Sequence, residues 1–292
     1  MAIPWQQEFE LYHCNESLCS QKARLGFLEK GLAFKSHHIM LCDLNADCQN
    51  LSPEHLAINP KGQVPTLVHN GEPVYDAHRI VKHIDDAHLQ SGERLWPTEA
   101  PQQALAEQWF QLGMLDDRRR LGTTFGTAIP VLTLPILAKL LERQSMATVA
   151  ANMARHPVPM RRELFMRLRE KGAGELPPEA LEGALDSVCQ GLATANGHLA
   201  DFGGPWLLGD FSLADITMMA CFHRLQDVGL EAALQDPAVP HLGSYWERLQ
   251  ARPSYAEGVT KWHDLGWRSA IEEIWGGVPS PLLDNVRRRL RA

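Results

Sequence analysis

Several common signals are missing from this sequence, and each absence excludes a class of protein. The six cysteines (Cys14, Cys19, Cys42, Cys48, Cys189, Cys221) contain no Cys-x-x-Cys pair and no Cys/His set at zinc spacing. That pattern speaks for reduced thiols in a cytoplasmic protein rather than for a disulfide framework. The thirteen histidines supply no His-x-x-x-His ligand pair, so no metal site is expected. Basic charge is not in excess: 28 Lys and Arg stand against 35 Asp and Glu, a net charge of −7, and the one dense basic run is Arg287, Arg288, Arg289 and Arg291. A surface built for nucleic acid is therefore not expected. The opening MAIPWQQEFE has no basic segment leading into an apolar one, which argues against a signal peptide. The most apolar window, Thr127 to Leu141, carries Pro130, Pro135 and Lys139, and is read as packing inside the fold rather than as a membrane span. Internal repeats and low-complexity tracts are absent as well.

At 292 residues and 45% hydrophobic, the chain can bury a substantial core. Single cores seldom grow past roughly 250 residues, so two domains are expected. The first ninety or so positions alternate short strand and helix signals, as an α/β unit does. Phe9 to His13 reads as a strand, a helix follows from about Cys19 and stops at Gly31, and Phe34 to Met40 reads as a second strand. Pro65 to His69 and Pro73 to Tyr75 flank Asn70-Gly71, a strong hairpin signal, and Asp76 stands where a helix N-cap belongs. After the proline-bearing stretch LWPTEAP (95–101) the pattern is helical or irregular. Ala104 to Leu121 and Glu179 to Leu199 have helical periodicity, and Ser212-Leu213-Ala214-Asp215 is a capping box opening another helix, read as structural. Between them Gly122 to Pro178, broken by prolines and charge runs, reads as an insertion.

One stretch carries chemistry. In HCNESLCSQKARLGFLEKG (13–31), Ser17 and Cys19 fall in the first turn of a helix. Unpaired amides at a helix N-terminus favour a thiolate and draw a cysteine pKa from about 8.5 towards neutrality, the condition for a nucleophilic or redox role. Ser17 can equally be a plain cap and Cys19 a small buried residue. From these residues alone both readings stand. Farther on, NPKGQVPTL (59–67) puts Val64-Pro65 at the mouth of a strand, where a cis peptide can turn the Val64 amide and carbonyl towards an extended ligand. The helix led by Asp76-Ala77 offers end amides to a ligand carboxylate.

With SLCSQKARL, QVPTL, an acid-led helix and GDFSLADI (209–216) in this order, the sequence resembles the glutathione transferase superfamily over most of its length. The resemblance implies an α/β thioredoxin-like N-terminal domain (7–90) followed by an all-α C-terminal domain (100–265) with an insertion at about 122–178, then a C-terminal extension (266–292). It also implies a glutathione site: Gln63 and Val64 on the tripeptide backbone ahead of cis-Pro65, Asp76 and the Ala77 amide at the γ-glutamyl end, Lys61 towards the glycyl carboxylate. His13 falls where the tyrosine branches keep their phenol, which disfavours those branches. The spacing of Ser17 and Cys19 is similar to that of zeta-class isomerases and reductive dehalogenases. On that likeness Ser17 stabilises the glutathione thiolate, and Cys19 assists or attacks a glutathionyl intermediate. The opening stretch, with Asp-Ala in place of the usual acidic-Ser, also looks like the ganglioside-induced differentiation-associated branch, and β-etherase-like transferases share a motif similar to NPKGQVP.

Ala77 removes a hydroxyl donor. A hydrogen bond to a charged group contributes about 1.5–3 kcal/mol, so glutathione affinity is expected to fall by one to two powers of ten. Trp109, Phe110, Met114, Arg118 and Phe125 are candidates for contacts to an apolar electrophile, beside the reading that such residues simply pack a core. The expectation is a cytoplasmic homodimeric enzyme that uses glutathione to conjugate, isomerise or reductively dehalogenate a small apolar electrophile. The competing expectations are a non-catalytic binding or sensing protein of the same fold, and a Cys19-dependent thiol transferase.

Overall fold

Alternating apolar residues in the first strand decide the first layer. In β1 (Phe9–His13), Phe9 and Leu11 are buried, and Leu11 lies opposite Leu67 of β3 (Thr66–His69). The computed structural model describes residues 3–115, 119–175 and 178–292. In it β2 (Lys35–His38), β1, β3 and β4 (Glu72–Tyr75) form one sheet in the order β2-β1-β3-β4, with β2 parallel to β1 and the other pairs antiparallel. Asn70 and Gly71 both take positive φ (50° and 87°), the turn that an Asn-Gly hairpin requires. Helices α1 (Leu18–Glu29) and α3 (Ala77–Ala87) pack together against the sheet, and the short α2 (Pro53–Ile58) precedes β3. The helices meet so closely at Gly26 that a Cβ there would lie 2.8 Å from Val81 Cγ2.

The rest is helical: α4 (Ala100–Gly113), α5 (Phe125–Glu142), α6 (Met146–Arg155), α7 (Pro159–Lys171), α8 (Pro178–Phe202), α9 (Leu213–Asp227), α10 (Leu242–Gln250), α11 (Pro253–Gly258), α12 (Leu265–Trp275) and α13 (Leu283–Leu290). The α9 helix is buried almost all round and opens on the Ser212–Asp215 capping box. Residues 122–178 do not behave as one insertion. By length and composition α5 is apolar enough to cross a membrane, yet it is a core helix packed along α8, with Phe125 seated against Gly191. Its two prolines each remove one backbone rung, and tertiary packing holds the helix in spite of them. The helices α6 and α7 pack on each other, and α7 also packs on α5. In the C-terminal extension 266–292, Trp267, Ala270, Leu283 and Val286 are buried in the helical core.

The halves are joined through buried charge. Lys30 and Asp85 make an ion pair of 2.9 Å with both side chains fully buried, and Asp85 also accepts from the amides of Leu95 and Trp96 at 3.0 Å. This fixes the connection between the domains. Lys22 Nζ donates to the Gly113 carbonyl (3.0 Å), and Arg24 Nε to the Gly258 carbonyl (2.7 Å). Asp85→Ala leaves Lys30 charged in the interior without a counter-ion, held only by the Glu93 carbonyl (2.9 Å), so unfolding free energy should fall by about 3–5 kcal/mol. Urea denaturation would show it as a lower midpoint at unchanged slope; a loss below about 1 kcal/mol would mean that the pair does not hold the junction.

Candidate active site

The sheet's end and the helical domain enclose a cleft of about 730 Å³. One wall is made by three loops of the first domain. Arg24 Nη1 and Nη2 donate to the carbonyls of Cys14 and Asn15, both at 2.9 Å, and Arg224 donates to the carbonyl of Glu16. These bonds set the backbone that enters α1. Ser17 is the N-cap, its Oγ accepting from the Ser20 amide at 3.2 Å. The cap uses a lone pair and leaves the hydroxyl proton available to a group in the cleft. His13 does not reach this wall: it is buried, its Nδ1 accepts from Arg24 (3.1 Å), and its Nε2 donates to Ser36 (2.7 Å).

Cys19 also lines the cleft and is partly buried. Burial raises its thiol above the ordinary range, and the nearby Asp76 adds to this; Lys22, Arg161 and Arg224 pull the other way without prevailing. The expectation of a lowered pKa from helix position is thereby corrected. Removal of water from the thiol outweighs the pull of these cations.

The second loop is organised by Asn59. Its Oδ1 accepts from the Lys61 amide (3.0 Å), and its Nδ2 donates to Gln63 O (3.0 Å) and Thr66 Oγ1 (2.9 Å). With Gln63 O thus held, the cis Val64-Pro65 peptide leaves the amide and carbonyl of Val64 with no partner among the described residues. Lys61 lies exposed on the rim. In the third loop Asp76 has φ 74°, unusual for a residue with a Cβ, and Oδ1 accepts from the amides of His78 (3.0 Å) and Arg79 (3.2 Å). Burial raises the Asp76 carboxyl, chiefly against the pull of those amides. The Ala77 amide, next to it, has no acceptor among the described residues.

The opposite wall is apolar with a cationic edge. Met114, Leu134, Leu137, Leu164, Phe165 and Trp267 face Arg79, Arg119 and Arg161 around it. Among the residues expected to touch an electrophile, Met114 lines the cleft. Trp109, Phe110 and Phe125 do not: Trp109 is buried with its Nε1 donating to His198 (3.0 Å), Phe110 packs on His78, and Phe125 sits under α8. Arg118 lies outside the described residues. Sequence reading missed the contributions of α7 and Trp267, because helical spacing alone does not say which face meets a cleft. It missed Asn59 too, although the asparagine opens the quoted NPKGQVP motif.

Glu16 was likewise passed over. Its residue is 2% exposed; Oε1 accepts from the Asp264 amide (2.5 Å), and Oε2 has no partner among the described residues. Burial, partly offset by that amide and by Arg224, pushes its pKa up to about 7.

The comparisons agree with this architecture. Residues 16–87 match the family model of the glutathione S-transferase N-terminal domain. The chain is 24% identical over 277 residues to glutathione S-transferase TCHQD of Arabidopsis thaliana, covering 91% of this chain and 95% of that one. It is 26% identical over 254 residues to the tetrachloro-p-hydroquinone reductive dehalogenase of Sphingobium chlorophenolicum, covering 85% and 94%. The crystal structure of β-etherase LigF from Sphingobium sp. strain SYK-6 superposes with a TM-score of 0.70 at 22% identity, covering 87% of this chain and all of that one. A thioredoxin-like domain with a helical partner and a cleft between them is the two-domain fold of the glutathione transferases. Residues 16–87 thus carry the glutathione S-transferase N-terminal domain, and the chain as a whole is similar to members of that superfamily in sequence and in fold.

The raised carboxyl of Glu16 predicts a pH effect. The folded state binds the proton more tightly than the unfolded state, so this group's contribution is complete below about pH 4.5 and is lost as pH rises through about 7. Glu16→Gln should flatten the stability profile across that window. Above it the variant should exceed wild type by roughly 3 kcal/mol, read by urea titrations at several pH values; parallel profiles would overturn the assignment.

Proposed function

We propose that the chain is a glutathione-dependent enzyme acting on a small apolar electrophile. The observation that carries this reading is the set of unsatisfied groups on one wall of one cleft: the Ser17 hydroxyl proton, both polar groups of the Val64 backbone and the Ala77 amide. An extended peptide-like ligand pairs with Val64 as an added strand does, its carboxylate meets the start of α3, and its thiol comes under Ser17. Lys61 and Gln63 stand beside this path, and Asp76 receives the ligand's ammonium group. Ser17 donates to the sulfur and stabilises the thiolate. The thiolate then forms a sulfur–carbon bond with an electrophile held against Met114, Phe165 and Trp267, while the leaving group departs with the bonding pair. The names of the relatives, a glutathione S-transferase and a reductive dehalogenase, support an enzyme of this class. Assembly as a homodimer in the cytoplasm belongs to the same proposal.

A second reading follows from the place of Cys19 on the same wall, two positions from Ser17. Its thiolate attacks the sulfur of a glutathionyl conjugate, giving a Cys19–glutathione disulfide and a carbanion that takes up a proton. A second glutathione then releases glutathione disulfide and restores Cys19. The raised Cys19 pKa limits its thiolate at neutral pH, so direct conjugation is favoured.

Calorimetric titration with glutathione, thiolate absorbance against pH, and turnover of chlorinated aromatic test substrates separate these readings. Ser17→Ala is expected to raise the bound-thiol pKa and to lower kcat about 10²-fold with modest loss of binding. Cys19→Ser should leave conjugation intact and abolish any glutathione adduct seen by intact mass. Absence of binding at millimolar glutathione would sink the enzyme reading, and binding without turnover would favour a sensing or carrier role.

A further inference from the structure

Helix α7 brings one cation to an otherwise apolar wall. Met160, Arg161, Leu164 and Phe165 line the cleft at the spacing of a single helix face, and Leu134 and Leu137 of α5, on which α7 packs, continue that surface. Arg161 is half-buried there, and its guanidinium makes no hydrogen bond or ion pair among the described residues. The other guanidinium groups that line the cleft are placed differently. Arg119 donates to the carbonyl and Oε1 of Gln111, both at 2.5 Å, while Arg224 pairs with Asp227 (3.1 Å) and donates to the Glu16 carbonyl. Arg79 is exposed in the first turn of α3, on the wall of the first domain. The carboxyls of the cleft do not neutralise Arg161 either. Asp76 accepts from the His78 and Arg79 amides, and Glu16 from the Asp264 amide. Burial raises the Asp43 carboxyl against the pull of Arg161, and the two form no ion pair among the described residues.

We propose that the electrophile taken by this cleft is an apolar anion, an aromatic body bearing a carboxylate or similar oxyanion, whose charged group docks on Arg161. A guanidinium without an acceptor beside apolar side chains has lost part of its hydration with no compensation. An oxyanion meets its paired N–H donors in a bidentate arrangement that a lysine ammonium does not fix, and the guanidinium keeps its charge at every working pH. The apolar body then lies on Leu134, Leu137, Leu164 and Phe165, so one face of the cleft holds both parts of the molecule. Glutathione does not claim this charge, because in the proposed pose it runs along Val64 and the start of α3, on the opposite wall. That the anion is the electrophile rests on the glutathione reading; that the wall selects an apolar anion does not.

Two matched probes separate charge from apolar contact. 1-Anilinonaphthalene-8-sulfonate and N-phenyl-1-naphthylamine differ only in the sulfonate, and both brighten on leaving water, so each can be titrated without glutathione. Arg161→Gln should weaken the sulfonate roughly tenfold relative to the amine, the loss of one charge-assisted contact, and Arg161→Lys should restore part of that. Arg162→Gln, on the exposed side of α7, should leave the ratio within about twofold of wild type. With glutathione present, 4-chloro-3,5-dinitrobenzoate and 1-chloro-2,4-dinitrobenzene each lose chloride to the thiolate, and the ratio of their kcat/KM values should move with Arg161 in the same sense. A sulfonate-to-amine ratio that Arg161→Gln does not move, or that Arg162→Gln moves equally, overturns the proposal; equal urea midpoints establish that the ratio is read on folded protein. If glutathione fails to bind while the probe ratio still depends on Arg161, the function reading falls and the anion site stands. Turnover of both electrophiles in a ratio indifferent to Arg161 keeps the function reading and overturns the anion site.

Discussion

The guanidinium of Arg24 is the group on which the site depends. It is 1% exposed, and burial pulls its pKa down to about 9, so at neutral pH it remains a cation inside the protein. Such a charge is tolerable only if its protons are accepted throughout. The carbonyls of Cys14 and Asn15, the ring of His13 and the carbonyl of Gly258 do this, and the face of Trp262 lies 4.9 Å away. Two acceptors belong to the loop that delivers Ser17 and one to the helical domain. The height of Ser17 above the cleft floor and the seating of the domains are therefore solutions of one electrostatic problem.

A second constraint runs through the cleft. Burial acts on Glu16, Cys19 and Asp76 in the same direction, favouring their protonated forms, while the permanent cations Arg79, Arg119 and Arg161 stand around them. The guanidinium charges do not titrate, so an anionic sulfur placed there meets donors and fixed positive charge.

Much of this was legible because the signals were local. The Asn70-Gly71 turn, the Ser17 cap and the Ser212–Asp215 box each arise from a few neighbouring side chains, and these features appear where the motifs stand. Prolines misled the reading of α5 as part of an insertion, since Pro130 and Pro135 look like breaks while the surrounding Ile, Val and Leu bury most of the helix. The Cys19 pKa was misread for a different reason. Helix position is a property of sequence, but desolvation is set by what packs over the thiol from distant elements. Trp109, Phe110 and Phe125 illustrate the same limit: spacing placed them on helices, and only the packing partners His198, His78 and Gly191 show that they face inward.

The bond from the Asp264 amide to Glu16 spans 248 positions, and Trp267 stands across the cleft from Ser17. During synthesis the first domain can form its sheet and its helix caps early. The cleft, however, stays open on one side until residue 267 has left the ribosome, because its last wall is encoded so late. Domains emerging in order at about 5–20 residues per second give that interval a length of many seconds. A nascent thioredoxin-like domain in this protein therefore emerges before the cleft beside it can be closed.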